Sequence, residues 1–117
     1  MKKIALLLFS IIVFSHARAQ TPQELIGRWK LVRWTKHKKE KTVDDSTFQV
    51  FSPNGQFLSI AQGKTHKGKW KLWKNSSILT ITSAGVLVLD FKIDYFDSRK
   101  RIMTADGIGT LEYVKAD

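Results

Sequence analysis

One five-residue pattern occurs twice in this chain, as Gly27-Arg28-Trp29-Lys30-Leu31 and as Gly68-Lys69-Trp70-Lys71-Leu72. Each copy reads small, cation, indole, cation, aliphatic. In an extended strand Gly, Trp and Leu then share one face and the cations share the other. Such a strand suits a barrel or a sandwich, with one face buried and one wetted. A Gly two residues before a Trp on the same face leaves room for the indole or for a neighbouring backbone.

The remaining residues read as strands that join and surround these two. Thr21-Pro22-Gln23-Glu24 has the order of a capping box and predicts one helical turn across an end of the fold. Period-two alternation predicts eight strands, at 25–35, 47–52, 57–62, 67–74, 78–83, 87–95, 100–104 and 110–115. The sixth alternates most clearly, with Leu87, Leu89, Phe91, Ile93 and Tyr95 on one side and Val88, Asp90, Lys92 and Asp94 on the other. Pro53-Asn54-Gly55 is a tight-turn signal, while Asn75-Ser76-Ser77, Ala84-Gly85, Asp97-Ser98 and Asp106-Gly107 mark further turns. The charged run from Lys36 to Lys41 lacks an apolar period and reads as a solvated loop. Eight short half-apolar strands with brief turns describe an all-β antiparallel meander. It closes most economically as an up-and-down barrel, with an open two-sheet sandwich as the competitor.

Met1-Lys2-Lys3, the apolar run Ile4 to Phe14 and Ala17-Arg18-Ala19 follow the order of a secretory signal peptide. The expectation is a leader at 1–19, one domain at 20–117, and a periplasmic or extracellular location. The apolar run is too short to span a bilayer, and no transmembrane segment is expected after it. With no cysteine anywhere, neither a lipid anchor at the leader nor a disulfide is available. A domain of this size buries a limited fraction of its surface, so the four Trp, the five Phe after the leader and the two Tyr must supply much of its cohesion. Residues 20–117 carry 17 cations against 10 anions, which favours anionic surfaces. Outside the cytoplasm these are envelope components such as lipid head groups, acidic glycans or acidic proteins. Basic residues interleaved with aromatics also fit an oligonucleotide-binding barrel, but export argues against a nucleic-acid partner.

Gly27-Arg28-Trp29 behind a helical turn resembles the Gly-x-Trp of lipocalin and calycin barrels. The run Phe51-Ser52-Pro53-Asn54-Gly55-Gln56-Phe57, followed by Gly68-Lys69-Trp70-Lys71-Leu72, is similar to the short lipocalin-like domains of secreted bacterial proteins. The resemblance implies an eight-stranded barrel, closed at the Gly27 end, with a small-molecule cavity at the other. It makes Gly27, Trp29 and Gly68 structural positions. It also implies a basic residue from late in the chain over the first-strand Trp, with Arg99, Arg101 and Lys115 as the candidates. Full-size lipocalins are longer and usually carry disulfides, which this chain lacks.

In an eight-strand meander, Trp29 and Trp70, each read as early in its strand, should stand at opposite ends of the interior. One plugs the base, and the other lines the mouth. The expected ligand-binding set is therefore Trp70, Phe57, Phe51, Leu72, Leu89 and Phe91, binding a small hydrophobic or amphiphilic molecule. Alternatively, these side chains simply fill the barrel. Trp34 and Trp73 have the opposite parity and fall outside beside Lys30, Arg33, Lys71 and Lys74, unless a β-bulge turns them inward. Catalytic, metal and cofactor sites are not expected. His37 and His66 lie among lysines that repel a metal, Asp90 and Asp94 alternate with Lys92 as ordinary ion-pairing groups, and phosphate-loop and nucleophile-elbow motifs are absent.

Overall fold

The computed structural model describes residues 22–83 and 87–116. The leader at 1–19, the Thr21 cap and the Ala84-Gly85 turn lie outside them. A helical turn, α1 (Pro22–Leu25), precedes β1 (Gly27–Lys36), β2 (Lys39–Lys41), β3 (Phe48–Phe51), β4 (Gln56–Ala61) and β5 (Lys64–Trp73). Then follow β6 (Ile78–Ser83), β7 (Leu87–Phe96), β8 (Lys100–Ala105) and β9 (Gly109–Lys115). All pairings are antiparallel, β1 and β3 to β9 run in sequence around the sheet, and β9 returns to pair with β1. The result is an eight-stranded closed barrel, not a sandwich.

β2 is a ninth strand that pairs with β1 alone, through Trp34 to Lys36, and it occupies the charged run expected to be a loop. His37 and Lys38 make the turn before it with φ of 53° and 63°, the left-handed pair that a two-residue hairpin requires. Backbone pairing needs no apolar period when both faces are wet, which is why the pattern of residues did not reveal it.

Two bulges reset the inside and outside of the long strands. Between β1 and β9 the partners step from Leu31 opposite Tyr113 to Arg33 opposite Glu112, so Val32 is the extra residue, and it is 42% exposed. Beyond it Trp34 turns inward, packs on the core and donates from Nε1 to the Ile108 carbonyl at 2.7 Å. Between β7 and β8 the extra residue is Asp94. Tyr95, expected inside, is consequently 46% exposed and donates to Asp97 at 2.6 Å, while Phe96 takes the interior place beside Trp29. Trp73 meets no bulge and stays outside, its Nε1 donating to Thr80 Oγ1.

The end where α1 meets β1, here called the base, is filled by buried apolar and aromatic side chains. Leu25 is buried, and its carbonyl accepts from Trp29 Nε1 at 2.9 Å. Trp29 is fully buried, and an aromatic of that size contributes roughly 1.5–3 kcal/mol. The two repeated glycines serve different ends. Gly27 has φ +126°, a conformation that side-chain-bearing residues avoid. Gly68 lets β6 approach, since a Cβ there would overlap the Thr82 carbonyl oxygen. Gly68→Ala must push β5 from β6, with an expected loss of about 1–3 kcal/mol in urea unfolding.

Candidate functional site

A cavity of about 260 Å³ opens on the half of the interior away from α1, the mouth half. Phe57, Ile81, Leu87, Leu89 and Phe91 are its apolar lining, and Gln49, Ser59, His66 and Ser83 its polar lining. Alternation places them. Gln49 stands two residues from Phe51 on the inner face of β3, Ser59 two from Phe57 on β4, and His66 two from Gly68 on β5. Cross-strand register sets Gln49 opposite Ser59 and Ser59 opposite His66, a polar rung across three neighbouring strands.

Of the expected binding set, Phe57, Leu89 and Phe91 line this cavity. Phe51, Trp70 and Leu72 do not. Phe51 is buried below, 5.1 Å from the Phe57 ring and 5.8 Å from Trp70. The expectation that the two indoles occupy opposite ends is corrected for a simple reason. β5 begins at Lys64, not Lys67, so Trp70 is the seventh of its ten residues and lies toward the base. Its Nε1 donates to the Ser52 carbonyl in the base turn at 2.9 Å. Gln49, Ser59, His66 and Ser83 escaped the sequence reading because they are polar. Their signal was inward parity in strands whose other inward residues are apolar.

Beneath Gln49 lies the most unusual group of the fold. Arg101 is fully buried, with its guanidinium carbon 4.8 Å from the Trp29 ring centre, 4.9 Å from Phe51 and 4.5 Å from Tyr113. Lys115 reaches the same indole, at 5.0 Å. Two of the three late basic candidates thus meet Trp29, while Arg99 is exposed in the β7–β8 turn. Arg101 Nη2 donates to Gln49 Oε1, but Nε and Nη1 have no hydrogen-bond partner. Burial pulls the guanidinium down to about 10, with Tyr113 acting in the opposite sense, so it stays charged at neutral pH. Burial pushes the Tyr113 phenol up to about 12, against the pull of Arg101. Among the described residues no group of three His, Cys, Asp or Glu side chains could hold a metal ion.

No family model and no curated protein matches the sequence. Solved structures do match in fold. A lipocalin-like protein from Bacteroides uniformis superposes with a TM-score of 0.65 at 18% identity, over 80% of this chain and 99% of that one. An uncharacterized protein from Bacteroides eggerthii gives 0.65 at 17% identity, over 79% and 99%. A duf4847 family protein from Bacteroides vulgatus gives 0.54 at 12%, over 80% and 96%. The chain therefore has the lipocalin-like barrel fold.

The Tyr113 phenol has its own pH signature. Its folded value lies above the ordinary 10, so its contribution to stability is complete below about pH 10 and is lost as pH rises through about 12. Spectrophotometric titration should show this phenol ionising near 12, and Tyr113→Phe should remove that step. Over the same range the stability advantage of wild type over Tyr113→Phe should shrink.

Proposed function

We propose that this protein is a non-catalytic carrier or receptor that holds a small amphiphilic molecule in the mouth half of its barrel. The cavity supports this most directly. Its lining is mostly aromatic and aliphatic, Gln49, Ser59, His66 and Ser83 are its few polar groups, and the filled base closes the opposite end. Such a division of apolar wall and few polar groups is usual for small-molecule sites, although about 260 Å³ falls just under their ordinary range of roughly 300–1,000 Å³. The ligand is accordingly small, a single ring or a short chain. With the leader read at residues 1–19, we place this binding outside the cytoplasm.

Native mass spectrometry of the purified protein should reveal a co-purifying small molecule. Leu89→Trp, which fills the cavity, should abolish its retention, whereas Trp73→Ala on the outer face should retain it. Retention by Leu89→Trp would remove the cavity as the site.

The distribution of charge favours a second reading, an interaction module that docks an anionic envelope component on its outer face. No acidic residue occurs from Ser46 to Leu89, while Lys64, Lys67, Lys69, Lys71 and Lys74 all do. On the outer face of β3 and β4, Val50 and Leu58 lie between Arg28 on β1 and Lys67 on β5. This reading expects co-sedimentation with anionic but not zwitterionic vesicles, weakening as salt rises. Absence of association with anionic vesicles at low salt would remove it.

A further inference from the structure

Toward the mouth the ordinary inside and outside of β3 and β4 are reversed. Gln49 and Ser59 face the interior, so alternation sends Phe48, Val50, Leu58 and Ile60 to the outer face. Register gathers these four into one half-buried patch, with Phe48 opposite Ile60 and Val50 opposite Leu58. All nine strands belong to a single sheet, so among the described residues no second layer of strands covers it. A wetted outer face calls for polar side chains, as β5 has in Thr65, Lys67, Lys69 and Lys71. Four contiguous apolar exceptions on two adjacent strands mark an interaction surface.

Cations flank the patch on both sides. On β1, Arg28 pairs with Val50 and Lys30 with Phe48, and on β5 Lys67 pairs with Leu58. Three strand spacings, about 14 Å, separate the two columns. The Arg28 guanidinium carbon stands 4.1 Å from the centre of the Phe48 ring, at the edge between charge and apolar surface. The acid-free run from Ser46 to Leu89 supplies β3, β4 and β5, so no carboxylate of these strands repels an approaching anion. This combination selects the partner. A polyanionic chain would use the cations and gain nothing from the apolar centre. A protein interface needs about one hydrogen bond per 100–200 Å², and these four side chains supply none. A bilayer interface uses both parts, with phosphates meeting the cations, acyl chains meeting the apolar centre, and long Lys and Arg stems spanning the step.

We infer that the outer face of β3 and β4 docks on an anionic lipid bilayer, with Phe48, Val50, Leu58 and Ile60 entering the interface and Arg28, Lys30 and Lys67 on the headgroup phosphates. This rests on the second reading above and deepens it, from an anionic envelope component to a lipid surface with an apolar contact. The barrel then lies with its wall, not its mouth, against the membrane.

Co-sedimentation with phosphatidylcholine vesicles, with and without phosphatidylglycerol, separates the two levels. Wild type should bind the mixed vesicles alone, and part of that association should persist at salt that screens surface charge. Phe48→Ser combined with Ile60→Ser keeps every charge and should weaken vesicle binding at least about tenfold, while binding of dextran sulfate, a polyanion without acyl chains, stays as in wild type. Undiminished vesicle binding by this variant would overturn the lipid contact and leave docking by charge alone, as a glycan or an acidic protein would make. No vesicle binding by wild type at low salt would overturn both. If the variant fails to fold, wild type decides in bicelles that contain phosphatidylglycerol and a lipid spin-labelled in its acyl chain. The methyl NMR signals of Val50, Leu58 and Ile60 should broaden, while those of Val88 and Ile102 on the opposite wall are spared. Equal broadening of all five would overturn the inference.

Discussion

The guanidinium of Arg101 lies between the rings of Trp29, Phe51 and Tyr113, and through this contact β8 meets β1, β3 and β9 at the barrel base. The seam where β9 returns to β1 passes through the same cluster, since Leu31 of β1 pairs with Tyr113 of β9. A chain without cysteine has no covalent tie for that closure, so the seam is held by packing and the backbone ladder. The cation is an odd choice for cohesion alone. Interaction with a desolvated aromatic face is worth about 2 kcal/mol, whereas removing a charge from water costs several. An apolar side chain of similar volume would bind the seam as well or better. What the guanidinium adds is a fixed direction, a donor aimed at Gln49 in the cavity wall.

The interior is accordingly divided. Toward the base, Leu25, Trp29, Phe51 and Tyr113 leave little unfilled space, and the indoles of Trp29 and Trp70 are pinned to the Leu25 and Ser52 carbonyls. Toward the mouth, inward positions pass to Ser59, His66 and Ser83, whose side chains are too small or too polar to fill the same cross-section. The cavity follows from the step down in side-chain size from Phe57 to Ser59 along β4 and from Ile81 to Ser83 along β6. Of the two alternatives left open by the sequence, a filled interior describes the base, while the mouth half holds an open cavity.

The barrel was legible because alternation and turn chemistry agree in nearly every segment. Gly55, for example, sits at φ +87° in the turn that Pro53-Asn54-Gly55 announces, with Asn54 accepting from the Gln56 amide. Less was legible at the site. A bulge adds one residue without altering composition, so the bulge left open for Trp34 could not be located at Val32, and nothing signalled that Asp94 would turn Phe96 inward and Tyr95 outward. The start of β5 was hidden because Lys64, Thr65, His66 and Lys67 read as a polar turn, and that shift of three residues moved Trp70 from the expected mouth to the base. The Arg101 contact was narrowed to three candidates from the resemblance, but choosing among them required knowing which β8 residues face inward.

Concentrating cohesion at one end has an evolutionary consequence. Ser59, His66, Ser83 and Leu87 line the cavity but stand outside the buried apolar cluster, so exchanges there can reshape the space while that cluster stays intact. The shape of that space can drift by a few substitutions, without the chain first having to regain its fold.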